Sequence, residues 1–171
     1  NGDVDLSDTA GVVLRVLGAG DVSLDGNISG TGGSLWKQGT GSLALSGTNT
    51  FDATLQIDAG DVTLAGGNAI ADNADVVMTD AGAGLTLAAD ETFAALAGVG
   101  AVDLATHRLT LDTDADTTFA GTIQGTATTA GVTQRGDGTL TLTGDHTFPG
   151  ELRIEGGTLI AQGDLAGDVS N

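Results

Sequence analysis

Leu35-Trp36-Lys37-Gln38-Gly39-Thr40-Gly41-Ser42-Leu43-Ala44-Leu45-Ser46-Gly47-Thr48-Asn49-Thr50-Phe51 is the stretch on which the fold turns. Inside it, Gly41-Ser42-Leu43-Ala44-Leu45 places an apolar residue at every second position behind a glycine, and alternation of that period marks a strand with one buried face. The same pattern stands as Gly2-Asp3-Val4-Asp5-Leu6, Gly20-Asp21-Val22-Ser23-Leu24, Gly60-Asp61-Val62-Thr63-Leu64, Gly100-Ala101-Val102-Asp103-Leu104 and Gly138-Thr139-Leu140-Thr141-Leu142. Weaker copies at Ala83-Gly84-Leu85-Thr86-Leu87, Gly121-Thr122-Ile123 and Gly157-Thr158-Leu159-Ile160-Ala161 complete a series with a unit of roughly 20 residues.

A unit of that size cannot bury its apolar face alone, whereas stacked copies can. The expectation is therefore an all-β chain, a right-handed parallel β-helix of about eight or nine coils, on the order of 40 Å long at the spacing of paired strands. Leu43, Leu45, Val62, Leu64, Leu85, Leu87, Val102, Leu104, Leu140 and Leu142 are its interior rungs. Residues 1–171 read as one such segment of a longer chain. The alanine-rich run Asp90 to Ala97 is too short and too closely followed by Gly98 and Gly100 for a helix, and reads as strand and turn. A β-sandwich of short antiparallel strands is the alternative that periodic turns leave open.

Composition narrows the function. The 171 residues carry a formal charge of −18, which repels nucleic acid and anionic lipid, so neither is an expected partner. The absence of cysteine removes thiolate chemistry and disulfides together. No run is long and apolar enough for a spanning helix, Asn1 is not followed by a signal-peptide pattern, and the aromatic girdles of a membrane barrel are missing. The segment reads as soluble, with any barrel lying outside it.

Residues 35–64 align without a gap on residues 132–161. Gly39, Gly41, Leu43, Leu45, Gly47, Thr50, Phe51, Leu55, Ile57 and Gly60 have identical partners in Gly136, Gly138, Leu140, Leu142, Gly144, Thr147, Phe148, Leu152, Ile154 and Gly157. Upstream, Gly26-Asn27-Ile28-Ser29-Gly30-Thr31 matches Gly121-Thr122-Ile123-Gln124-Gly125-Thr126, after which two extra residues enter the second copy. With its glycines, Lys37, paired leucines and Asn49-Thr50-Phe51 in order, the first copy resembles the autotransporter-associated β-strand repeat. The second departs from it at Gln134, His146 and Pro149. The resemblance implies a non-catalytic passenger segment of a Gram-negative bacterium, secreted or held at the cell surface as a scaffold, stalk or adhesin. It implies export with a C-terminal outer-membrane barrel of the same precursor, and a self-associating or host-receptor partner. The alternative is part of a β-helical hydrolase, acting on polysaccharides or esters, with its active site largely elsewhere.

Few residues invite a chemical role. Arg135-Gly136-Asp137 is the tripeptide of integrin-binding adhesins, set against its plainer place in a coil turn. His107 and His146 read as exposed turn histidines, and Asp145 beside His146 is a poor charge-relay partner because adjacent strand residues face opposite ways. Asp112, Asp114 and Asp116 would share a face if extended and so imitate a glycosidase pair by accident, set against the plainer reading of a solvated face or weak cation patch. Trp36 and Lys37 suggest a local stack near a turn. Gly30-Thr31-Gly32-Gly33 lacks the ending of a phosphate loop, and Thr139, Thr141 and Thr143 form too short a ladder for an ice-binding array. No catalytic residue, metal ligand or cofactor is expected.

Overall fold

A computed structural model of the chain describes residues 2–7 and 11–171. Among these the secondary structure is strand and turn without helix, and every strand pairing is parallel. Each coil brings a strand to a long eight-stranded sheet, from Val13–Val16 through Ser34–Lys37 to Thr158–Ala161, then turns into a seven-stranded sheet running from Val22–Leu24 to His146–Thr147. A third, five-stranded sheet holds Glu91–Phe93, Arg108–Asp112, Gly131–Arg135, Leu152–Ile154 and Val169–Ser170. Near the start, Val4–Asp5 pairs with Ile28–Ser29 in a small sheet. The architecture is thus a parallel β-solenoid of about eight turns, and the antiparallel sandwich is excluded.

The alternation read from the sequence places the core. Leu43, Val62, Leu85, Val102 and Ile123 stack in register along the seven-stranded sheet, each fully buried. Burial of such a side chain is worth about 1.5–3 kcal/mol, which offsets the ordering of the short strand that carries it. Asp90 to Ala97 is strand and turn as expected, split between Glu91–Phe93 and Ala95–Gly98.

Leu140 and Leu142 are interior rungs, but on the long sheet, where Leu142 follows Phe119, Gly98, Met78, Ile57 and Lys37 in one ladder. Gln134, which aligns with Lys37 in sequence, lies instead on the five-stranded sheet between Leu111 and Ile154. The second repeat copy is therefore turned by one face about the solenoid axis relative to the first.

Candidate functional site

The polar groups inside the solenoid come first, because burying them is costly unless they are bonded. Lys37 points inward and is 1% exposed. Its ammonium donates to the carbonyls of Gly39 and Ala59, and burial holds its pKa below the usual lysine value, opposed by the nearby Asp61 carboxylate. Trp36 faces the other way with the Arg15 guanidinium 4.9 Å over its ring, so the expected local stack involves Arg15, not Lys37. In the second copy Gln134 reproduces the lysine's role, with Nε2 donating to Gly138 O (2.8 Å) and Thr158 O (3.1 Å). Beside each lies a glycine in the left-handed region, Gly60 at φ 71° and Gly157 at φ 68°, where a Cβ would meet the carbonyl of Gly41 or Gly138.

Asn49 and His146 form the second matched pair. Asn49 is buried, accepts from Ile28 N (2.7 Å) and donates to Ala69 O (2.7 Å), so it clasps the coils on either side. His146 accepts from Ile123 N at Nδ1 (3.1 Å), while its Nε2 is buried without a partner. The expectation of an exposed His146 is thus corrected: the ring is 1% exposed and takes an interior position of the coil, though Asp145 does face solvent as the strand argument requires. Burial lowers its pKa, against the pull of Asp145. Glu91, unforeseen in the sequence, is a third clasp. Its carboxylate accepts from Ile70 N (3.1 Å) and Ala69 N (3.3 Å) where the neighbouring coil runs through the third face without a strand, and burial raises its pKa.

Arg135-Gly136-Asp137 occupies the corner between the five-stranded and eight-stranded sheets, with Arg135 and Asp137 exposed. Arg135 Nε pairs with Glu155 (3.1 Å), and its Nη1 lies 3.8 Å from Asp112. Gly136 has φ 82°, and a Cβ there would collide with Thr113 O, so the corner demands glycine. Asp114 accepts from Asp137 N (3.0 Å) and Asp116 from Thr139 N (2.8 Å). Asp114 and Asp116 are accordingly spent on propping the corner above them, while Asp112 faces Arg135.

A cleft of about 550 Å³ opens on the third face, lined by Asp90, Thr106, His107, Arg108, Thr128 and Thr129. His107 is a turn residue as expected, but its side chain is only 31% exposed and stands 3.6 Å from Asp90. Coil lengths explain the opening: Glu91 pairs with Leu109, eighteen residues on, and Leu109 with Val132, twenty-three on. The surplus residues of the longer coil form one wall, and they include the two additions that distinguish the second copy.

Comparison with known proteins follows the same lines. The Passenger-associated-transport-repeat family matches residues 35–64 and 132–161. Over 99% of its length the chain is 33% identical to an adhesin BmaC autotransporter of Brucella suis biovar 1 (strain 1330), of which it spans 5%. No solved structure matches the chain. These findings agree on an autotransporter passenger sequence carrying such repeats, in line with the resemblance carried by Leu35 to Phe51.

Proposed function

We propose that this chain is one segment of a longer autotransporter passenger and serves, without catalysis of its own, as a surface-exposed adhesive scaffold of a Gram-negative bacterium. The observation that carries the reading is its likeness, along nearly its whole length, to an adhesin autotransporter. The interior supports it: Lys37, Asn49, Glu91 and Gln134 are each engaged with backbone groups of the coil, so these buried polar residues serve to hold the rod. A translocator barrel of the same precursor is the partner in export, and folding that propagates coil by coil suits emergence at the surface. Arg135-Gly136-Asp137, exposed at its corner, is the first contact to test for a host receptor, although Arg135 would have to leave Glu155.

The segment displayed on a translocator barrel should cause cell aggregation or attachment absent from a barrel-only control. The isolated segment should leave polysaccharides and esters intact; strong hydrolysis of either overturns the reading. Attachment unchanged by Asp137→Glu removes the tripeptide from it.

A further inference from the structure

Arg108 is unusual in a chain with 23 acidic residues and 5 lysines and arginines. Arg135 and Arg153, on the same face, are taken up by Asp112 and Glu155. Arg108 pairs with no carboxylate among the described residues, and its guanidinium donates to Thr133 Oγ1 (3.2 Å) across a position where Gly131 leaves room for it. A Cβ on Gly131 would sit 3.2 Å from Arg108 Nη1. Most of the fork therefore remains free to bond a ligand.

The surroundings are built as well as open. Ala105, the single left-handed residue other than glycine among those described, has φ 51° and is held by its N–H donating to Asp103 Oδ1 (2.8 Å). That conformation costs energy for an alanine, and it turns the chain so that Thr106, His107 and Arg108 line one wall. The opposite wall is fixed by Thr129 Oγ1 donating to Thr106 O (2.7 Å), which leaves Thr128 exposed. Asp90, anchored by Arg108 N (2.9 Å), supplies an acceptor at the rim. The cleft volume of about 550 Å³ falls in the roughly 300–1,000 Å³ range of small-ligand sites.

We propose that this cleft binds a carboxylate-bearing sugar, a uronate or sialate unit of a surface glycan. The guanidinium takes the carboxylate in its planar fork, His107 stands alongside, and Asp90 and Thr128 bond the sugar hydroxyls. With a net charge of −18 the long-range field repels such a ligand, so recognition rests on these short contacts. The inference rests on the adhesive reading by naming a ligand for it, but it can fail separately.

The test is amide chemical-shift titration of the 171-residue chain with sodium glucuronate, glucose and glucose 6-sulfate. Saturable shifts confined to Thr106–Arg108 and Thr128–Gly131, at least tenfold tighter for glucuronate than for the other two, are expected. Arg108→Gln should weaken glucuronate at least tenfold and Thr128→Ala several-fold. Should Arg108→Gln not fold, Arg108→Lys takes its place and should still weaken binding by losing the fork. Equal affinity for glucose or the sulfate, shifts elsewhere, no shifts, or indifference to these substitutions overturns the site. Attachment of displayed cells that survives Arg108→Lys would sink the site as the adhesive contact while sparing the adhesive reading. Glucuronate binding without attachment would do the reverse.

Discussion

Residues 35–64 and 132–161 share ten identical positions in an unbroken alignment, yet they occupy different faces of the same solenoid. In the first, the corner glycines join the eight-stranded sheet to the seven-stranded one; in the second, they join the five-stranded sheet to the eight-stranded one. The repeat is thus a property of a corner and its two flanking strands, and two different corners of the coil host it. What travels with the corner is a pair of interior polar residues that tie one coil to the next, Lys37 and Asn49 in one copy, Gln134 and His146 in the other. The copies differ in how fully those residues are bonded. Asn49 bonds the coils on both sides and Lys37 bonds two carbonyls with no buried atom left over, whereas Gln134 Oε1 and His146 Nε2 are orphaned.

The contrast makes graded predictions. Asn49→Ala leaves Ile28 N–H and Ala69 C=O buried and unpaired and should cost about 3 kcal/mol in urea unfolding, the largest of the set. Lys37→Met strands two carbonyls and should cost about 2 kcal/mol, while Gln134→Met, which also removes an orphaned oxygen, should cost about 1 kcal/mol. Equal losses at the two positions would break the comparison. His146→Asn restores the residue of the first copy and should gain about 1 kcal/mol, with slower amide exchange at Ile123 and at Ala166, whose N–H donates to the backbone carbonyl of His146 (3.0 Å).

The smallest effect is one of pH. Burial keeps the folded His146 pKa below its unfolded value, so below about pH 6.5 the unfolded chain binds the additional proton. Its contribution is complete above that pH and is lost on acidification toward the folded pKa. Between about pH 7.5 and about pH 5.5 the parent chain should therefore lose more stability than His146→Asn, measured as the shift in urea midpoint.

Period-two alternation made the strands, the buried aliphatics and the parallel stacking legible, because those follow from the burial of one face. Face assignment was not legible. Pairing partners depend on the exact length of each coil, which ranges from seventeen residues between Gly84 and Ala101 to twenty-four between Val4 and Ile28, and a few residues of drift move a whole strand to the next face. The interior roles of Lys37 and His146 were hidden because such residues are usually exposed, and Glu91 because its partners lie in a strandless coil about twenty residues away. The cleft had left a trace: the two residues added to the second copy lie in the stretch that walls it.

Cross-linking tests the turned repeat most directly, since the chain has no native cysteine. Thr118 and Thr141 are in register on neighbouring strands of the long sheet, while Gln124 lies on the seven-stranded sheet. A Thr118→Cys/Thr141→Cys chain should be joined rapidly by a short thiol cross-linker, and a Gln124→Cys/Thr141→Cys chain should not. Had the second copy kept the face of the first, Thr141 would lie on the seven-stranded sheet away from Thr118, so failure of the Thr118→Cys/Thr141→Cys pair to cross-link would contradict the account.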